Sequence, residues 1–189
     1  PVESESVDLV LTSPPYINVI NYHQQYRFSV ESLGCDVLGP ARSEIGSNRK
    51  FRSNRFNTVT QYILDMALVL SDLCRVIKRD GKAVFVVGRQ SQVRKTPFYN
   101  ADILERMALA LDIEVGSKQT RTFTNRYGQR IVEDILVLKL RCAGLDSQEV
   151  LDFARHLATA ILIEARDRVS DLSITADLES ADGNVPDVT

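Results

Sequence analysis

Two short apolar runs on either side of a long amphipathic stretch limit this chain to few folds. Residues 7–11 and 82–88 have the composition of buried strands bounded by turn residues. Between them, residues 59–78 carry apolar side chains at three- and four-residue spacing, which predicts a helix that Asp80 and Gly81 bring to an end. A helix between two apolar strands is typical of a parallel strand pair in an α/β sheet.

The rest of the chain extends this sheet. Further helices are predicted at 23–33, 101–111 and 147–169, strands at 113–124 and 130–140, and loops at 35–57 and 89–100. The turn sequence Asn125-Arg126-Tyr127-Gly128 joins the last two strands into a hairpin. We therefore expect a mainly parallel, doubly wound α/β sheet with a C-terminal antiparallel hairpin in residues 1–140, a helix in 141–169 and an acidic, flexible tail in 170–189.

Composition excludes several classes of protein. The chain is 44% hydrophobic and 25% charged, as is usual for a globular domain. Its longest apolar stretches, 67–70 and 158–163, are far too short to span a bilayer. The three cysteines form no CxxC pattern, which predicts neither a metal site nor a disulfide framework and favours a reducing, cytoplasmic setting.

The charge of −2 is unevenly distributed. Residues 141–189 contain ten acidic and four basic residues and carry −6, so residues 1–140 carry +4. A mildly basic body is compatible with a polyanionic partner.

The segment Thr12-Ser13-Pro14-Pro15-Tyr16 directly follows the first apolar strand. In doubly wound sheets, ligands bind at the carboxyl ends of the strands, where this loop is expected to lie. The two prolines fix an extended and stiff backbone. This loop is therefore the candidate catalytic site.

With the preceding strand and the following Ile17-Asn18-Val19-Ile20-Asn21-Tyr22, this segment resembles the amino-methyltransferases of DNA, which carry an Asp/Asn/Ser-Pro-Pro-Tyr/Phe loop after the fourth strand. The resemblance extends loosely to Leu140 and covers about the second half of such a catalytic domain. It implies a Rossmann-like sheet, S-adenosylmethionine as cofactor and a DNA partner. It also implies methylation of N4 of cytosine or N6 of adenine, and a serine in the first position of the loop favours cytosine.

The resemblance also implies roles for the loop residues. An exocyclic amine is a weak nucleophile because its lone pair is delocalised into the ring. Ser13 Oγ and the Pro14 carbonyl would accept hydrogen bonds from this amine, and the Pro14–Pro15 pair would aim that carbonyl. Tyr16 would stack on a base that has been flipped out of the duplex. Thr12, Ser13 and Pro14 would also contact the cofactor.

The glycine-rich cofactor loop of this family is not present in the sequence. The nine glycines never form a GxG pattern, and none leads from an apolar strand into a helix. The chain begins at Pro1, almost directly on a strand. We therefore expect the N-terminal cofactor-binding strands on a second chain or on a missing N-terminal segment, paired with residues 7–11.

Polar and basic residues near the expected site are candidates for DNA binding, whether to phosphates or to base edges. They are Asn18, Tyr22, Arg49, Lys50, Arg52, Arg55, Arg89, Arg94, Lys95, Arg121 and Arg126. The basic residues of 35–57 are equally consistent with a solvated loop. His23 has no carboxylate at a meaningful sequence spacing, which favours a polar residue at a helix start over a general base.

Three alternatives to the DNA methyltransferase remain at this point. The first is an RNA amino-methyltransferase of the same fold. The second is a non-catalytic subunit that binds DNA or scaffolds a partner, which the missing cofactor loop favours. The third is an unrelated α/β domain in which Ser-Pro-Pro-Tyr is a chance turn.

Overall fold

The computed structural model describes residues 2–17, 22–39, 41, 44–46, 51, 53–140, 146–169 and 171–188, with the backbone alone at Tyr22 and Asp187. The elements in chain order are β1 (Val7–Thr12), α1 (Tyr22–Gln25), α2 (Arg27–Ser32), α3 (Asn57–Val76), β2 (Ile77–Gly88), β3 (Gln90–Val93), β4 (Thr96–Tyr99), α4 (Asn100–Ala110), β5 (Glu114–Thr124), β6 (Arg130–Lys139), α5 (Ser147–Arg166), α6 (Leu172–Gly183) and a 3₁₀ helix (Val185–Asp187). The chain is therefore a mixed α/β protein, as the sequence predicts.

The described sheet has four strands in the order β1-β2-β6-β5. β1 and β2 are parallel, whereas β6 runs antiparallel to both β2 and β5. The predicted hairpin is thus confirmed. The prediction of a mainly parallel sheet is wrong for the described strands, because β6 folds back from β5 and inserts beside β2, which makes two of the three pairings antiparallel.

The two faces of this sheet differ in their environment. On one face, Phe85 of β2 and Leu136 of β6 are buried in a core shared with α3, α4 and α5. On the other face, the outer strand β1 leaves Leu9 57% and Leu11 68% exposed. In a strand of alternating apolar and polar residues, the leucines normally point into a core. β1 therefore has an apolar face that the described residues do not cover.

The end of α3 lies earlier than predicted. The helix stops at Val76, and Asp80 and Gly81 belong to β2 instead of ending the helix. β1 and β2 change register here, and a Cβ on Gly81 would lie 2.9 Å from the Asp8 carbonyl oxygen. The glycine therefore permits a close backbone approach within the sheet. Apolar spacing continues past Val76, which is why the pattern alone placed the helix end too late.

Part of the loop predicted at 89–100 is a second, two-stranded sheet made of β3 and β4. The two residues of its turn, Arg94 and Lys95, have φ of 49° and 68°. Such turns usually contain Asn or Gly, and because neither is present the sequence did not predict a hairpin here. Phe98 of β4 packs on Phe56, with ring centroids 6.2 Å apart.

The C-terminal segment differs most from its prediction. Instead of a flexible tail, residues 171–188 contain α6, which Asp171 caps, and the 3₁₀ helix. The apolar side chains of this segment are buried; they are Leu178, Ala181, Val185 and Val188. Their three- and four-residue spacing is that of a packed helical face, but the many acidic and small residues around them hid it.

Two further features concern the setting of the chain. Cys74 is disulfide-bonded, which contradicts the expectation from cysteine spacing that the chain has no disulfide, and Cys35 is a free and exposed thiol. No helix in the described part of the chain combines the length and the apolar character needed to cross a membrane.

Candidate active site

The Ser-Pro-Pro-Tyr loop lies at the carboxyl end of β1 and is tied to the neighbouring strand. Pro14 and Ile17 are buried and hold the loop, while Ser13 is exposed. Ser13 Oγ donates to the Val86 carbonyl at 2.8 Å and lies 3.0 Å from the Tyr16 hydroxyl. Since the single Ser13 proton is directed at Val86, the Tyr16 hydroxyl donates to Ser13. Ser13 Oγ then retains one lone pair that can accept a further hydrogen bond.

The position of Tyr16 depends on the glycine at the end of β2. A Cβ on Gly88 would lie 3.3 Å from Tyr16 Cε2, so the ring rests directly against the backbone of β2. One ring face is therefore occupied by the protein. Stacking of Tyr16 on a base remains a prediction, and it would use the other face.

Pro14 contributes a second possible acceptor. None of the described residues donates a hydrogen bond to its carbonyl. Thr12, which the resemblance assigns to the cofactor together with Ser13 and Pro14, is the last residue of β1 and pairs with Phe85. The two acceptors thus belong to consecutive residues, with the loop anchored on either side.

A buried hydroxyl that the sequence did not single out is close to this loop. Tyr62 of α3 is fully buried, and its hydroxyl has no hydrogen-bond partner. Burial and, to a lesser extent, the nearby Tyr16 raise the pKa of Tyr62 far above its usual value. Gly46 packs on it, since a Cβ there would lie 3.3 Å from Tyr62 Cβ. In the sequence, Tyr62 is indistinguishable from the apolar residues of its helix.

His23 has the carboxylate partner that its sequence surroundings lacked. Its Nδ1 lies 2.9 Å from Glu44 Oε2, and its backbone N–H donates to Glu44 Oε1 at 2.6 Å. The side chain is buried, and Nε2 has no partner. The prediction that His23 merely starts a helix is therefore incomplete, because the chain folds back and brings in a residue 21 positions away.

Arg89, which follows β2, is held in place by a buried carboxylate. Its Nη2 donates to Asp134 Oδ1 at 2.8 Å and to Thr120 Oγ1 at 2.6 Å. Burial alone would raise the pKa of Asp134, but the hydrogen bonds from Arg89 and Thr120 outweigh it and lower that pKa. The same pairing raises the pKa of Arg89. The guanidinium of Arg89 is thus held in a fixed orientation at the edge of the sheet where the Ser13–Tyr16 loop lies.

The other predicted DNA-binding residues are spread over several elements. Arg94 forms an ion pair with Asp177 of α6, and Lys95 is exposed beside it. Arg55 is exposed just before α3. Arg121 and Arg126 belong to the β5–β6 hairpin. The remaining candidates lie outside the described residues or, for Tyr22, outside the described side chains: Asn18, Tyr22, Arg49, Lys50 and Arg52.

No group of three or more His, Cys, Asp or Glu side chains in the described part of the chain is arranged to hold a metal ion. No described glycine forms a strand-to-helix turn of the kind that holds the phosphates or sugar of a nucleotide.

A comparison with curated proteins finds a methyltransferase that is similar to part of this chain. Over 102 residues, which are 54% of this chain and 18% of the relative, the sequence is 26% identical to the type II methyltransferase M.MjaII of Methanocaldococcus jannaschii. The chain thus spans less than a fifth of the length of this curated relative. No protein-family model matches the chain. The likeness supports a distant relationship to methyltransferases.

Proposed function

We propose that this chain forms the base-binding half of an S-adenosylmethionine-dependent DNA methyltransferase that modifies the exocyclic amine of a base. The observation that carries this proposal is the pair of acceptors, Ser13 Oγ and the Pro14 carbonyl, on a loop anchored at the carboxyl end of β1. The likeness to a type II methyltransferase supports it. By the resemblance, the serine favours N4 of cytosine over N6 of adenine, and a role in restriction-modification fits this chemistry.

The two acceptors account for the activation of the amine. One amine hydrogen would be bound by the remaining lone pair of Ser13 Oγ and the other by the Pro14 carbonyl. Such contacts draw the nitrogen toward tetrahedral geometry and release its lone pair from the ring. Both acceptors are fixed before substrate binds, which lowers the reorganisation needed in the reaction. The cofactor, when bound, supplies a methyl group already activated as a sulfonium.

The exposed face of β1 is evidence for the proposed partner, a second segment that carries the cofactor-binding strands. β1 is an edge strand of the described sheet, with Leu9 and Leu11 exposed on the face opposite to the helices. Edge strands with apolar faces are aggregation hazards unless another segment pairs with them. A second α/β segment that adds a parallel strand to β1 and covers the two leucines would complete the sheet.

This partner is testable by binding. Leu9→Lys and Leu11→Lys should each weaken binding to the segment encoded directly upstream, measured by calorimetry with purified proteins. Leu109→Lys, at a 64% exposed leucine of α4, is the matched control. Equal binding by all three variants would show that the face of β1 is not the interface.

The activity is testable by transfer of labelled methyl groups to unmethylated duplex DNA. The chain is assayed alone and with its cofactor-binding half, with single-stranded RNA as a competing substrate. Ser13→Ala should lower the rate about a hundredfold or more, as loss of one preorganised hydrogen-bonding group does in other active sites. Ser32→Ala, at an exposed serine that bonds only to a backbone carbonyl within its helix turn, is the control. Transfer unaffected by Ser13→Ala would refute the assigned chemistry.

A second candidate rests on the sequence's lack of a glycine-rich loop, which favours a non-catalytic subunit that binds DNA or scaffolds a partner. DNA binding without methyl transfer in every combination of chains would support this alternative. Preferential transfer to RNA would instead support an RNA amino-methyltransferase.

A further inference from the structure

The β5–β6 hairpin extends beyond the rest of the sheet on the side of the candidate active site. Gly88, the last residue of β2, is level with Glu133, which pairs with Arg121 of β5. From there β5 continues for three residues to Thr124, a rise of about 10 Å. Because β6 lies directly beside β2, the hairpin stands about 5 Å to the side of the strand on which Tyr16 rests.

The tip of this hairpin is held rigid by its own hydrogen bonds. Asn125 Oδ1 accepts from the backbone N–H groups of Tyr127 at 2.9 Å and Gln129 at 3.0 Å. The Gly128 N–H donates to the Asn125 carbonyl at 3.0 Å, and Gly128 adopts a φ of 77° that favours glycine. The residues at the tip are therefore presented in a fixed conformation before any partner binds.

Two aromatic side chains on this hairpin are exposed and each is paired with an arginine. Tyr127 is 71% exposed, with the guanidinium of Arg126 4.7 Å from its ring centroid. Phe123 is 43% exposed, with Arg121 at 5.5 Å. Exposed aromatic rings with adjacent cations suit the faces of nucleobases and the nearby phosphates.

The charge of the tip points to the same partner. Residues 119–132 contain three arginines and no acidic residue. Arg121 pairs with Glu133, whereas no carboxylate among the described residues pairs with Arg126 or Arg130. The tip thus combines uncompensated positive charge with an exposed ring.

We propose that the hairpin tip enters duplex DNA beside the target base and that Tyr127 fills the space in the stack when that base is displaced. This rests on the proposed function, since it assigns the hairpin to the same substrate. The tip extends about 10 Å beyond Gly88, on which Tyr16 rests, and about 5 Å to the side of β2. The rigid hairpin can therefore enter the duplex while the displaced base lies on the Ser13–Tyr16 loop. Arg126 contacts the adjacent backbone.

The test compares two short duplexes of identical sequence, one intact and one with a single abasic site that supplies the gap in advance. The full chain should bind the abasic duplex at least about fivefold more tightly, as expected for one aromatic stacking contact. Tyr127→Ala should bring this ratio to about one, and Tyr127→Phe should restore it. Arg126→Gln should weaken binding to both duplexes alike.

Tyr99→Ala is the matched control, because Tyr99 also pairs with an arginine, Arg168 at 5.6 Å, but lies outside the hairpin. Its ratio should equal that of the unmodified chain. Equal affinity of the unmodified chain for the two duplexes, or an unchanged ratio in Tyr127→Ala, would overturn the inference. If the ratio depends on Tyr127 while no methyl transfer occurs with the cofactor-binding half, the inference stands and the proposed activity fails.

Discussion

Substitution of Gly88 tests how closely the chemistry depends on the contact between β2 and Tyr16. An alanine Cβ at this position would lie 3.3 Å from Tyr16 Cε2, which is tighter than ordinary van der Waals contact. The ring must then move by a few tenths of an ångström. Tyr16 donates to Ser13, so this shift is transmitted to the acceptor that binds the substrate amine.

The expected effect on rate follows from the size of this shift. A displacement of about 1 Å in a catalytic group lowers rates by roughly a hundredfold, so a few tenths of an ångström should cost about three- to tenfold. Gly88→Val, whose methyl groups reach further, should approach the full hundredfold. Stability should change little in Gly88→Ala, because alanine gains about 0.5–1 kcal/mol over glycine within a strand and thereby offsets part of the tighter contact.

The assay measures kcat for methyl transfer in the complete assembly, together with the free energy of unfolding in urea. Gly116→Ala is the control, since its Cβ would lie at ordinary contact distances, 3.4 Å from Lys139 Cε and 3.5 Å from the Val137 carbonyl oxygen. It should leave kcat unchanged. If Gly88→Val retains full activity while folding normally, the position of Tyr16 against β2 is irrelevant to catalysis and the reasoning fails.

Three further predictions test the fold, the first of them with a control substitution. Leu178→Ala should lower the free energy of unfolding by about 2–4 kcal/mol, because the side chain is fully buried. Leu172→Ala, at an 86% exposed residue, should change it by less than about 0.5 kcal/mol. If residues 171–188 were a flexible tail, the two substitutions would have equal effects. Burial alone would raise the pKa of Asp134, but its hydrogen bonds, chiefly the one from Arg89, lower it. The charged Asp134 side chain therefore stabilises the fold at pH values above 3.8, its ordinary pKa. This contribution is lost as pH falls through the lower, folded value, so the difference in urea stability between wild type and Asp134→Asn should shrink below about pH 4. Lys95→Gly relieves a φ of 68° and should raise the free energy of unfolding by roughly 0.5 kcal/mol, while a loss of DNA affinity in the same variant would indicate a phosphate contact.

Elements with strong local patterns could be predicted from the sequence. The strands β1, β2 and β6 and the long helix α3 have strong apolar patterns. β5 has few apolar residues and was placed by the turn sequence Asn125-Arg126-Tyr127-Gly128 that joins it to β6. The β3–β4 pair was missed because its turn residues, Arg94 and Lys95, do not favour positive φ. α6 was missed because its few apolar residues become significant only when α5 is beside them.

The candidate site divides in the same way. The Ser13–Tyr16 loop could be placed from the sequence because prolines directly after an apolar strand define both its position and its shape. The partners around it could not, because Glu44 meets His23 across 21 residues and Asp134 meets Arg89 across 45. Such contacts depend on the path of the chain between them, which local periodicity does not contain.

The docking of α6 has a consequence for the order in which this protein is completed during synthesis. The side chain of Asn54 donates to the carbonyl of Asp177, 123 residues later, at 2.6 Å, and also accepts from the Phe56 N–H at 3.0 Å. Contacts between such distant positions form late, since the intervening chain must first be made and brought together. The turn that leads into α3 therefore gains this hydrogen bond only after residue 177 has left the ribosome, so the start of the long core helix is completed by one of the last segments of this sequence to be synthesised.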